Sequence, residues 1–278
     1  MPRAEQPIVH TTRRLGWRVR RTLRSQFQPL LGPRSARYWK RSRGRFKGRI
    51  GFVLGNGPSL PVDRLELLSE HITLAANRID LAFGSTPWRS RFVSIIDPQV
   101  AGRMAPHIAS NHRRVFVGPE IAVPMPGCRQ ISWRHLGRPT VDPVGDDIMF
   151  SSDVSKGLYA GYCVTYANLQ IAAHFGLDPI ILLGCDHNYE GEDGANPRSV
   201  IRAGKDRNHF DERYRLEGEL VRPAPLSLMT IAFRHARAWA DSTGRRILNA
   251  TPDSKLDVFE RASLTDVLAE AGRSESTH

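Results

Sequence analysis

The residues best suited to chemistry fall in a few short stretches. Asn56 stands between two glycines in Gly55-Asn56-Gly57-Pro58-Ser59. Glycines let a backbone approach a phosphate, and a helix starting there favours an anion. The pattern is not the dinucleotide GxGxxG, because Pro58 and Ser59 follow and no third glycine comes. A tight strand-to-helix turn accounts for the same residues. Asn77 closes an apolar run, where it either reads a ribose or base edge or caps a turn. Asp97 closes another such run. Gly184-Cys185-Asp186-His187-Asn188-Tyr189 follows the most apolar stretch of the chain. Asp, His, Asn and Tyr together are costly in a core and suit a site. Asp206-Arg207-Asn208-His209-Phe210 lies in a long polar segment. A lone loop histidine is ordinarily just exposed, so His209 matters through the company it keeps. Tyr159, Tyr162 and Tyr189 are further hydroxyl donors for an anion.

Positioning these groups requires strands that end where they begin. Short apolar runs predict strands at 49–54, 72–76, 91–96, 114–117, 130–133, 179–183 and 246–249, the last of them. Helical patterns fall at 61–69, 100–110, 162–175, 226–242 and 264–271. This alternation predicts an α/β fold, a Rossmann-like three-layer α/β/α domain with a mostly parallel sheet. Such sheets bind ligands beyond the carboxyl ends of their strands. The polar stretch 184–223 shows no strong periodicity and is too long for a connector, which suggests a lid or binding loop.

The chain of 278 residues carries a formal charge of +12, distributed very unevenly. Residues 1–49 hold 15 Lys and Arg against the single acid Glu5, while the rest holds 25 bases and 27 acids. The basic character therefore belongs to an N-terminal arm. Within residues 12–31, Leu15, Val19, Leu23 and Phe27 recur every fourth position among arginines. Basic amphipathic helices of this kind lie on anionic membrane surfaces. Packing of the arm on its own domain is the competing reading, and nucleic acid fits less well because the globular part is not basic. The division expected is an arm at 1–48, a nucleotide or nucleotide-sugar domain at 49–262, and a closing helix and tail at 263–278. No run approaches 18 apolar residues, and no secretory leader is legible. Cys128, Cys163 and Cys185 are odd in number and widely spaced, which argues against a disulfide framework and for a reducing, cytoplasmic compartment.

GNGPSL after a first strand, an apolar run ending in Asn, GLDPIILLGCDHNY, DRNHF and GRRILNATPDSKLDVF together resemble the bacterial branch of the DUF115, or MptE-like, family. The same order is similar to glycosyltransferase family 42, the small bacterial sialyltransferases, over roughly residues 49–260. That resemblance implies a transferase in surface polysaccharide or glycoconjugate synthesis, with a CMP-activated nonulosonic acid as donor and a glycan or glycolipid as acceptor. It implies nucleotide contacts from Asn56 and Asn77 and a general base at His209, with His187 as rival and Asp186 beside it. Thr165, in Cys163-Val164-Thr165, stands where the sialyltransferases have Thr-Ser-Gly. Asn208 and Tyr189 complete the implied set, and no cofactor or metal is required. The archaeal members instead resemble a 6-hydroxymethylpterin diphosphokinase using ATP and Mg2+. For that chemistry Asp97 and Asp186 are the natural metal ligands. A non-catalytic nucleotide-binding module is the third reading, and it has no use for His209.

Overall fold

Short runs rich in Ile, Leu, Val and Phe, bounded by Gly, Asn and Asp, favour buried strands over helices. The computed structural model of the chain describes residues 32–102, 114–121, 128–133, 138–190 and 201–275. The expected amphipathic helix at 12–31 and most of that at 100–110 lie outside the described residues. Strands β1 (Gly51–Leu54), β2 (Ile72–Ala76), β3 (Phe92–Ile95), β4 (Val115–Val117), β5 (Cys128–Gln130), β6 (Ile180–Leu183), β9 (Ile247–Asn249) and β10 (Glu260–Arg261) form one sheet. Its order is β10-β9-β6-β1-β2-β3-β4-β5, and every pairing is parallel. Helices α1 (Pro33–Ser42), α2 (Val164–Phe175), α3 (Leu226–Thr243) and α4 (Leu264–Glu275) flank it.

The sheet is covered on both faces, which makes the domain three-layered. Val53, Leu74, Ile180 and Leu182 face one core cluster with α1, α2 and α3. Phe52, Leu54, Ala75, Ile181 and Leu183 face the other, with α4 and the 3-10 helices Val62–Leu68 and Ile79–Gly84. Successive strand residues point to opposite faces, so one short apolar run feeds both cores. Both α2 and α3 end on a left-handed glycine, Gly176 and Gly244, whose N–H caps the last carbonyls.

Several expectations are corrected. The fifth strand lies at Cys128–Gln130 rather than 130–133, and β10 follows the run expected to be last. Pairing by backbone alone made β10 invisible, since Glu260 and Arg261 are both exposed. The short helix expected at 61–69 is present, as the 3-10 helix Val62–Leu68. The segment 184–223 contains a small antiparallel hairpin, β7 (Ile201–Arg202) with β8 (Leu220–Val221). The boundary at residue 48 does not match the packing. Trp39 of α1 is fully buried, its ring 4.6 Å from that of Phe116, and its Nε1–H donates to Gln130 O at 2.6 Å. Gly44, Phe46 and Gly48 donate backbone bonds to the end of α2 at His174, Phe175 and Gly176. Charge had grouped 33–48 with the arm, but aromatic burial ties it to the fold. The closing helix likewise buries Leu264 and Val267 against the domain.

Candidate functional site

The strand order reverses beside β1. The chain runs outward from β1 through β5, then returns to place β6 on β1's other flank and continues through β9 to β10. The chain leaves β1 toward one face of the sheet and β6 toward the other, which places the switch point at their carboxyl ends. A cavity of about 1020 Å³ lies there, lined by Asn56, Asn77, Thr165, Asp186, His187 and His209 among others.

The two turns are locked to each other. Gly55 N–H donates to Leu183 O at 2.8 Å and Gly57 N–H to Gly184 O at 2.9 Å. A Cβ at Gly57 would fall on the Asp186 carboxylate, and one at Gly55 on the Gly184 carbonyl oxygen. Ser59 completes the lock, donating its N–H to Asp186 Oδ1 at 3.2 Å and its hydroxyl to Oδ2 at 2.8 Å. Burial raises the Asp186 carboxyl above its ordinary value, against the lowering by Ser59 and His209. The expected phosphate cradle in this turn is thus corrected. The N–H groups of Gly57 and Ser59 are spent inside the protein, Pro58 has none, and neither Pro58 nor Ser59 lines the cavity.

The asparagines present acceptors instead. Asn56 is buried and donates Nδ2–H to Ala76 O at 2.9 Å and to Tyr214 Oη at 3.3 Å. A donor facing a carbonyl fixes the amide's orientation, so Oδ1 is the other atom. The Oδ1 atoms of Asn56 and Asn77 are both buried and have no hydrogen-bond partner among the described residues. Asn77 adopts a left-handed φ of 45°, which turns it out of β2 at the cavity. Burial raises the Tyr214 phenol, against hydrogen bonds from Asn77 and Asn56 that lower it.

Tyr214 also stacks on His209, with ring centroids 3.6 Å apart and planes within 6°. At the imidazole's edge, His209 Nδ1 lies 3.1 and 2.9 Å from the two oxygens of Asp206. Asp206 is buried and also accepts the N–H groups of Asn208 and Arg215 at 2.9 and 3.1 Å. Burial pushes its carboxyl up, but the bond and charge of His209 and these N–H groups outweigh that and hold it below the ordinary value. An ionised Asp206 puts the histidine's proton on Nδ1 and leaves the lone pair on Nε2. The loop carrying His209 is tied down by Phe210 N–H to Asn56 O at 2.9 Å.

A third feature is the start of α2. Cys163, Val164 and Thr165 at its N-terminus line the cavity, as do Arg138, Arg215 and Arg222. Burial pushes the thiols of Cys163 and Cys185 up to about 12, so they remain neutral there. The positive end of the helix and the arginines thus face the cavity without a thiolate between them. Tyr162 and His187, with φ of 66° and 56°, are two more left-handed residues on its wall. Non-glycine residues held in this region cluster at functional sites.

The cavity brings together Gly55, Asn56, Gly57, Asn77, Asp97, Thr165, Asp186, His187, Tyr189, Asn208 and His209. Some of these hold structure. His187 Nε2 meets Thr230 Oγ1 at 2.8 Å, and Asn208 braces Glu190 through both its N–H and its carbonyl. Tyr159 is buried and does not line the cavity. Tyr214 and the arginines were not legible as site residues. Asp206 was not singled out either, although its place three positions before His209, with Arg207 and Asn208 between them, is a spacing that a turn brings together. A magnesium ion would have to use Asp97 and Asp186. Asp97 is exposed and its Oδ1 takes Gln99 N–H at 2.8 Å, while Ser59 occupies both Asp186 oxygens. No three His, Cys, Asp or Glu side chains gather to hold a metal among the described residues.

No family model matches the sequence, and no curated protein matches it. Among solved structures, the MAf glycosyltransferase from Magnetospirillum magneticum AMB-1 aligns with 84% of this chain at a TM-score of 0.47 and 10% identity. This chain spans only 38% of that one, and a similarity so slight assigns neither family nor activity.

Proposed function

We propose that the chain is a transferase, an inverting glycosyltransferase that uses a nucleotide-activated sugar. The donor class is a CMP-linked nonulosonic acid, and the acceptor is a glycan or glycolipid of a surface polysaccharide or glycoconjugate. One observation carries the reading. His209, paired with buried Asp206 and stacked on Tyr214, shares a cavity with the unpartnered amide oxygens of Asn56 and Asn77. Those oxygens suit donors such as ribose hydroxyls or the amino group of cytosine. The α2 N-terminus and the arginines suit the donor phosphate.

In this reaction Nε2 of His209 takes the proton of the acceptor hydroxyl as its oxygen bonds the anomeric carbon. The bond from that carbon to the phosphate oxygen breaks, and CMP leaves with the electron pair. Attack opposite the leaving group inverts the centre. Asp206 stays ionised and stabilises the imidazolium as it forms. A monophosphate leaving group meets the helix dipole and arginines, so this chemistry requires no cofactor. Residues 12–31 would bring the enzyme to the cytoplasmic face of an anionic membrane. No helix among the described residues is long and apolar enough to cross one.

The test is a thermal-shift panel of CMP, CDP, UDP, GDP and ATP with and without Mg2+, followed by turnover of His209→Ala. Stabilisation by CMP is expected without metal. His209→Ala should lower turnover about 10²–10⁴-fold with CMP affinity almost unchanged. If ATP with Mg2+ stabilises instead, and activity follows Asp97 and Asp186, the protein is a diphosphokinase. If His187→Ala is inactive while His209→Ala is not, the base is His187.

A further inference from the structure

The amino ends of the strands, opposite the cavity, carry a second concentration of charge. Arg91 precedes β3, Arg114 precedes β4, Arg129 lies on β5, and Arg45 follows α1. Arg114 and Arg129 lie 4.9 and 5.6 Å from the centroid of the Tyr38 ring. Arg91 and Arg45 lie 5.2 and 5.5 Å from that of Phe46. Aromatic faces hold guanidinium groups in place and leave their edges for hydrogen bonding. The charges of all four act on the Tyr38 hydroxyl, which burial nonetheless pushes up.

Like charges gathered this closely repel one another. No carboxylate pairs with Arg45, Arg114 or Arg129 among the described residues. The Tyr38 hydroxyl and Arg129 Nε are buried without a hydrogen-bond partner there. Three arginines without a carboxylate, beside a buried hydroxyl and a buried Nε without a partner, call for an anionic ligand rich in oxygen. Arg34, Arg37, Lys40 and Arg41 of α1, and Lys47 and Arg49 after it, are exposed bases on the segment that carries Tyr38 and Phe46. Upstream in sequence, arginines alternate with Leu15, Val19, Leu23 and Phe27. Interleaved apolar residues favour a lipid surface over nucleic acid.

We propose that the arginine cluster around Tyr38 binds the phosphate of an anionic lipid headgroup and docks this end of the sheet on a membrane surface. The cavity lies at the other end of the strands, so docking leaves its mouth uncovered.

The test is co-sedimentation of the full chain with phosphatidylglycerol vesicles and with phosphatidylcholine vesicles at physiological salt. Arg114→Gln with Arg129→Gln should weaken binding to the anionic vesicles about 30-fold, from about 5-fold per charge near such a surface. Arg234→Gln with Arg237→Gln removes the same charge from α3, where both arginines are paired with aspartates, and should change binding little. Equal weakening by the two pairs would reduce the effect to net charge and overturn the site. Arg114→Lys with Arg129→Lys, which keeps the charge, checks folding and should retain most of the binding. Titration with inorganic phosphate, and with a short duplex DNA, separates the sources. A cluster variant that loses free phosphate or DNA while keeping vesicle binding would overturn the lipid assignment.

Discussion

Lowering pH should destabilise this fold through His174, with a sign and size set by its surroundings. His174 lies in the last turn of α2, fully enclosed. Its Nδ1 accepts the N–H of Val154 at 3.2 Å, and its Nε2 lies 3.0 Å from Trp39 O and 3.2 Å from Ser42 Oγ. A proton added to Nδ1 would meet the Val154 N–H head on. Burial accordingly brings its pKa from the ordinary 6.5 down to about 4, although Asp153 at 3.9 Å pulls the other way and Arg43 adds to the lowering. The unfolded chain therefore binds a proton that the native chain refuses. Stability is fully present above about 6.5 and is lost as pH falls toward about 4. The whole effect is roughly 3 kcal/mol, of which roughly 2 kcal/mol is gone by pH 5. His235 adds to it, since its Nδ1 accepts Met149 N–H at 3.0 Å and burial lowers its pKa as well. Asp153 stays ionised throughout this window, because Ser155, Arg43 and His174 outweigh its burial and hold it below its ordinary value. Urea unfolding from pH 7.5 to 5 should show this loss in the parent. His174→Gln, whose amide can both accept and donate, should show a shallower slope. Equal slopes, or an NMR titration of His174 near 6.5, would refute the reasoning.

Trp39→Ala should cost about 3–5 kcal/mol, seen as a melting temperature lower by roughly 10 °C, because it empties an aromatic cluster and strands Gln130 O. Gly57→Ala should cost about 1–3 kcal/mol by denaturant unfolding and abolish the thermal shift with CMP, since its Cβ would land on Asp186 and part the two turns. Asp206→Asn should lower kcat far more than it raises KM and change the pH–rate profile, because the amide can leave the imidazole in the wrong tautomer; an unchanged profile would make Asp206 merely structural.

The parallel α/β order was legible because it rests on period and punctuation. ITLAA and PIILL are buried on both faces, so each reads as a largely apolar run without alternation that stops at Asn77 or Gly184. The residues at those stops were legible for the same reason, since a carboxyl strand end is where a parallel sheet opens. Composition also isolated the basic arm, but charge could not see that Trp39 and Phe46 hold residues 33–48 in the core. The amides after β1 looked like an anion cradle. Only the placement of β6 beside β1 decided that Gly184 and Asp186 would consume them. The stacking of Tyr214 on His209 and the two unpartnered asparagine oxygens are likewise tertiary facts. They join residues 56, 77, 209 and 214, and local propensity cannot specify contacts across such separations, because they arise only when the sheet order brings distant turns to one crevice.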